Sequence, residues 1–158
     1  MKPIYLVDWG DTLMTDLPGM VGKMCDWPRV EVIEGAELAL KFLSERGDVY
    51  IASGAKESTP ADIRQVFERA NLAHFIAGYF CPVDVGLQKG SPAFLLRIMI
   101  RLKCPPDMIT VIGDSLRRDV QPATVIGMKA IWFRRNRMEP APADVLTIDR
   151  LEQLTQLY

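Results

Sequence analysis

The sequence predicts an α/β fold, a single doubly wound and mainly parallel sheet with helices on both faces. Three observations carry this expectation. Short apolar runs rich in β-branched residues recur at Ile4 to Val7, Val49 to Ala52 and Ile109 to Ile112, each the size of a buried strand. Between them lie segments whose apolar residues are spaced mostly by three and four, the period of one helix face. Strand and helix patterns therefore alternate, and a parallel sheet covered by its crossover helices satisfies that alternation.

The elements follow in order. The first strand, Ile4 to Val7, ends at Asp8. Residues 14 to 33 show no regular period, but Met14, Leu17, Met20, Met24 and Trp27 make them unusually apolar for a loop. A helix starting near Glu34 carries Leu38, Leu40, Phe42 and Leu43. The second strand ends at Ser53 and precedes a helix with Ile63, Val66, Phe67 and Ala70, then a short strand from Phe75 to Phe80. Lys89 lies in a Gly-containing loop before a helix with Phe94, Leu95, Ile98, Met99 and Leu102. The strand at Ile109 to Ile112 runs into Gly113-Asp114, followed by a helix from about Arg117 to Ile126 and a strand from Lys129 to Phe133. A short strand around Val145 to Ile148 and a terminal helix through Leu157 complete the pattern.

The chain has 158 residues, 19 Lys plus Arg against 20 Asp plus Glu, and 49% hydrophobic residues. That size suits one domain spanning residues 1–158. A formal net charge of −1 gives no global drive toward nucleic acid or an anionic membrane, so any anionic ligand must be held locally. The four apolar residues before Asp8 are too few for a signal-peptide core. No apolar stretch approaches the ~20 residues of a membrane helix, so a soluble, cytoplasmic protein without a membrane partner is expected. Cys25, Cys81 and Cys104 are odd in number and lack a C-x-x-C pair, which argues for reduced thiols rather than disulfides or a zinc site.

In this architecture ligands gather at the carboxyl ends of the strands. Asp8, Ser53 and Gly113-Asp114 stand there. Asp8 and Asp114 on neighbouring strands would repel each other if bare, and a hard, oxygen-seeking cation such as Mg2+ is the usual remedy. Ser53 can hydrogen-bond a phosphate oxygen, and Lys89 supplies a compact positive charge to a phosphate and to a nucleophilic carboxylate. Asp119, near the start of a helix, either binds a metal-bound water or favours the positive end of the helix dipole.

These residues carry a resemblance to the haloacid dehalogenase superfamily of phosphotransferases, in its minimal capless form. Its first motif, a hydrophobic strand followed by D-x-D-x-T, appears as Ile4-Tyr5-Leu6-Val7-Asp8-Trp9-Gly10-Asp11-Thr12. The second is Ser53 at the end of Val49-Tyr50-Ile51-Ala52, and the third is Lys89 in Lys89-Gly90-Ser91-Pro92-Ala93-Phe94. The fourth, G-D-S-x-x-x-D, is Gly113-Asp114-Ser115-Leu116-Arg117-Arg118-Asp119. Each motif alone is commonplace; their order and strand-end placement carry the resemblance over nearly the whole chain. It implies a Mg2+-dependent phosphate-ester hydrolase in which Asp8 is the nucleophile and forms an aspartyl phosphate. It further implies metal binding by Asp8, Asp114, Asp119 and the Gly10 carbonyl. Phosphate would be held by Ser53, Lys89, and the Trp9, Gly10 and Gly54 region.

One departure affects the expected chemistry. In the family's phosphatases the second Asp of D-x-D-x-T is the general acid and base, and that position is Gly10 here. Asp11, one residue later, is the candidate substitute; an activated leaving group needing no acid is the alternative. The same departure raises two rival readings, a phosphate- and Mg2+-binding regulatory protein with weak turnover, and a phosphonatase- or dehalogenase-like hydrolase. The resemblance speaks against the latter, because both groups carry a helical cap and dehalogenases use no metal.

Neither interval between the motifs can hold a folded cap, so an open site is expected, for a phosphorylated small molecule or macromolecule. The apolar residues 14 to 33 either cover the site, form a homodimer contact, or pack on the core. His74, the one histidine, has no second His nearby and reads as structural. The basic run Arg134-Arg135-Asn136-Arg137 reads as a solvated loop, and nucleic acid is not an expected partner because interleaved aromatics are lacking apart from Phe133.

Overall fold

Six strands form the sheet: β1 (Ile4–Val7), β2 (Asp48–Ala52), β3 (Gly78–Phe80), β4 (Ile109–Gly113), β5 (Lys129–Phe133) and β6 (Leu146–Ile148). Their order is β3-β2-β1-β4-β5-β6 and every neighbouring pair is parallel. The computed structural model describes every residue except Asn136 and Tyr158. The predicted α/β class and doubly wound arrangement are what is found. No helix among the described residues is long and apolar enough to cross a membrane.

Period-two alternation divides the core between the two faces of the sheet. Tyr5 and Val7 of β1 face one side, where α1 (Ala36–Ser44) contributes Leu40 and Leu43 and α2 (Pro60–Arg69) contributes Ile63 and Phe67. Ile4 and Leu6 face the other side, against Phe94, Leu95 and Ile98 of α4 (Pro92–Leu102). A one-turn helix, α3 (Pro82–Val85), lies between β3 and α4. Because the chain winds outward in both directions from β1 and β4, the switch point falls between those two strands. Their carboxyl ends deliver Asp8 and Asp114 side by side.

Residues 14–33 pack on the chain's own core. Leu17, Met24, Trp27 and Ile33 are buried with α1 and α2, and Met14 bridges to Gly10 and Val32. Lys23 Nζ donates to Asp62 Oδ2 at 2.9 Å, which ties the segment to the start of α2. There Thr59 and Asp62 exchange bonds of 3.0 and 3.1 Å between side chain and backbone, a capping box worth about 1 kcal/mol. Among the described residues the segment's only helical piece is one short turn, Met24–Asp26, so it forms no cap.

Two expected helices differ in kind. The stretch expected as one helix from Arg117 to Ile126 begins as a π-helical turn, Leu116–Val120, and continues as α5 (Gln121–Val125). Pro122 has no N–H to offer an α-helical ladder, and the Val120 N–H reaches back five residues to the Ser115 carbonyl at 3.3 Å. The terminal helix is the tighter 3-10 form over Leu151–Gln156, held down by buried Leu151 and Leu154.

Candidate active site

Asp8, Thr12, Ser53, Lys89, Asp114 and Asp119 meet at the carboxyl edge of the sheet, on the floor of a cleft of about 690 Å³. Asp8 sits there because its N–H still donates to the Ile112 carbonyl at 2.8 Å, so β1 aims it before the chain turns. Ser53 is placed likewise by its N–H on the Phe80 carbonyl, at 2.8 Å. Trp9 anchors the turn between them and the apolar segment. Its carbonyl accepts from the Thr12, Leu13 and Met14 N–H groups, while its buried indole donates to Met14 Sδ at 3.2 Å.

Lys89 organises the floor. Its ammonium donates to Asp8 Oδ1, to the Ala52 carbonyl at 2.9 Å, and lies 2.7 Å from Asp119 Oδ1. The buried ammonium thus makes two hydrogen bonds and an ion pair. Asp119 Oδ2 accepts from the Ser115 N–H at 3.1 Å, while Oδ1 is ion-paired with Lys89 but accepts no hydrogen bond among the described residues. Gly113 permits this: a Cβ there would stand 2.2 Å from Asp119 Oδ2. Thr12 Oγ1, fully buried, donates to Asp8 Oδ2 at 2.9 Å and lies 3.5 Å from Asp114 Oδ1.

The charges are uneven. Burial would raise the Asp8 carboxyl, yet the Lys89 ammonium and hydrogen bonds from its neighbours hold it below the usual carboxylate range. Burial also opposes the charged form of Lys89, but Asp8 and Asp119 raise it above its ordinary value. Asp114 is pushed up to about 7 by burial and by hydrogen bonding with, and the charge of, Asp8; Arg137 offsets part of this. Asp119 is raised by burial and by Asp8, against the pull of Lys89.

Asp8, Asp114 and Asp119 each bring a carboxylate oxygen within 4.8 Å of the others. An all-oxygen set with more negative than positive charge, two members of which are held above their ordinary value, fits a hard divalent cation. The N–H groups of Trp9, Gly10 and Gly54 donate to no described residue and line the same cleft, so they are open to an anion. Asp11 also lines the cleft, in a left-handed conformation with φ 60°, and its Oδ1 accepts the Asp16 N–H at 3.0 Å.

Other participants are not evident from the motifs. Arg137 donates from Nη1 to the Asp114 carbonyl at 2.6 Å and from Nη2 to Asp114 Oδ2 at 3.2 Å. Arg134 grips both oxygens of Asp149 at 2.8 and 2.9 Å. The described residues of this basic run form a loop with Arg135 and Arg137 exposed, as expected; Arg134 and Arg137 are in addition paired with carboxylates that β6 and β4 bring to them. Asn136 lies outside the described residues. Arg118 and Ser58 line the cleft too; Arg118 occupies a variable position of the fourth motif and Ser58 none, so no sequence signal marks either. His74 packs its ring on Phe75, 4.0 Å between centroids, away from the cleft lining.

A family model described as haloacid dehalogenase-like hydrolase matches residues 11–127. This chain belongs to that family. The HAD-like hydrolase is similar to a Bacillus subtilis (strain 168) protein named as the HAD-hydrolase YfnB, 22% identical over 129 residues that cover 81% of this chain and 53% of the relative. It is also similar to a glyceraldehyde 3-phosphate phosphatase of Methanothermobacter thermautotrophicus, 26% identical over 96 residues, covering 56% of this chain and 42% of the relative. The chain thus spans about half the length of these curated relatives. Its fold matches a Listeria monocytogenes serotype 4b protein with a TM-score of 0.83 at 17% identity, covering 98% of this chain and 95% of the other. A crystal structure of the YfnB protein bound to magnesium matches with a TM-score of 0.69 at 23% identity, covering 80% and 55%.

Proposed function

We propose that this hydrolase cleaves phosphate esters, with Asp8 as nucleophile and Mg2+ held by Asp8, Asp114 and the Gly10 carbonyl. The observation that carries the reading is a buried carboxylate, Asp8, kept ionised by Lys89 and facing unpaired amides in a cleft. An oxygen of Asp8 attacks phosphorus, the bond from phosphorus to the ester oxygen breaks, and an aspartyl phosphate forms; water then releases phosphate and restores the carboxylate. Lys89, Ser53 and the Trp9, Gly10 and Gly54 amides take the phosphoryl oxygens. Asp119 keeps Lys89 ionised and aimed, and Thr12 fixes the rotamer of Asp8. When bound, the cation offsets the charge that gathers on the phosphoryl oxygens. Asp11, in its protonated form, would give the proton on the oxygen that the Asp16 amide leaves free to the leaving oxygen, and would regain one from the water that cleaves the aspartyl phosphate. The names of the Methanothermobacter relative and of the magnesium-bound Bacillus neighbour are consistent with this reading.

The test is hydrolysis of p-nitrophenyl phosphate with and without Mg2+, joined to acid-quenched labelling by a phosphorus-labelled substrate. Wild-type protein releases phosphate only with the metal and carries acid-stable label. Asp8→Asn loses both, and retained turnover in that variant rules the mechanism out. A second reading, a phosphate-binding regulatory protein with little turnover, draws on the empty space beside Gly10; labelling of Asp8 without steady-state release would select it.

A further inference from the structure

The floor of the cleft already provides partners for one phosphoryl group. Farther out the wall changes character. The stem of Arg118 passes Gly90, with Cγ 3.8 Å from where a Cβ would stand, and its Nη2 comes within 2.2 Å of the Cβ position of Gly54. Lys89 Cδ is 3.5 Å from that same position, so the arginine crosses the wall beside the catalytic lysine. Arg118 is exposed, and among the described residues its guanidinium has no acceptor. Lys56, on the loop from β2 to α2, lines the same cleft and pairs with no described carboxylate. Lys23 differs, being neutralised by Asp62.

Ser58 supplies the independent observation. It is 3% exposed and lines the cleft, yet its hydroxyl has no hydrogen-bond partner among the described residues. That hydroxyl is not among the enclosed oxygens left without a partner, so it opens onto the cleft, where it is free to donate to and accept from a ligand. We infer that Arg118, Lys56 and Ser58 form a second anion subsite, and that the substrate is a phosphate ester whose leaving group carries a carboxylate or a further phosphate. This deepens the phosphate-ester reading above and rests on it. The planar fork of Arg118 suits either group, since both present paired oxygens. Asp11, Asp16 and Glu57 also line the cleft, which favours one compact anion over an extended polyanion.

Two matched pairs of probes test the inference: 3-phosphoglycerate against glycerol 3-phosphate, and glucose 1,6-bisphosphate against glucose 6-phosphate. Calorimetric binding to the Mg2+-loaded Asp8→Asn chain is measured beside kcat/KM of the wild-type chain. In at least one pair the second anion strengthens binding about 10- to 100-fold, the range for a charge-assisted hydrogen bond, and that pair tells carboxylate from phosphate. Arg118→Gln brings the ratio close to one, Arg118→Lys keeps part of it, and Ser58→Ala lowers it several-fold. Ratios near one in both pairs, no binding of any probe, or a ratio unchanged by Arg118→Gln overturn the subsite. Preferential binding with no hydrolysis of any probe sustains the subsite and removes the hydrolase reading; hydrolysis without preference does the reverse.

Discussion

Gly10 and Asp11 exchange the residue types that the family pattern places at neighbouring positions, and their surroundings differ. A Cβ on Gly10 would meet nothing within 4 Å, and Gly10 is not among the residues with positive φ, so an Asp fits there without strain. Gly10→Asp should raise kcat on an alkyl phosphate about 100-fold, the lower end of what general acid catalysis supplies, with little change in phosphate binding. Asp11 holds its left-handed turn by accepting the Asp16 N–H. Asn also adopts that conformation and keeps an acceptor, so Asp11→Asn removes the proton and spares the turn. Its kcat on the same ester should fall at least about 10-fold and be largely restored by adding Gly10→Asp. Steady-state rates of the two single variants and the double variant measure this; an unchanged Asp11→Asn rate eliminates Asp11 as donor.

The π-helical turn at Leu116–Val120 is the element that most affects the site. The motif G-D-S-x-x-x-D marks its two ends, Asp114 and Asp119, but an α-helix and a π turn share the same local residues. Pro122, which lacks an N–H, favours the looser turn. The turn brings Asp119 back over Gly113, where its oxygens meet the Ser115 N–H and the Lys89 ammonium. Gly113→Ala would place a Cβ 2.7 Å from Asp119 Cβ as well as 2.2 Å from Oδ2, so neither a rotamer change nor a small shift relieves it. The expected cost is about 1 to 3 kcal/mol of stability, read from urea denaturation without metal, together with a loss of turnover as Lys89 is released. Stability equal to wild type would mean that Asp119 does not depend on this close approach. The strands around it were legible, because buried parallel strands read as short β-branched runs whatever surrounds them. Arg137 was not, because a basic loop looks solvated until β4 and β5 fix where Asp114 stands.

At the scale of the whole molecule, the cluster links metal binding, pH and folding. In the metal-free chain Asp114 is pushed up to about 7 from 3.8 by burial and by Asp8. A carboxyl raised on folding favours the protonated native state, so its contribution is present at low pH and is lost as pH climbs from about 3.8 to about 7. Mg2+ bound to the ionised carboxylate, as proposed above, would reverse that loss. The Tm gain on adding Mg2+ should therefore be larger at pH 8 than at pH 5.5, measured by scanning calorimetry; an equal gain at both would place the cation away from Asp114. Sequence alone determined the fold class and the groups at the strand ends, since hydrophobic period and motif order are local properties of the chain. Tertiary structure alone decided that residues 14–33 pack inward and wall the cleft, that Asp119 is shared with Lys89, and that Arg118 and Ser58 face the ligand space. Those outcomes depend on which surfaces the sheet and its crossovers leave adjacent, and distances between side chains far apart in sequence exist only once the chain has closed.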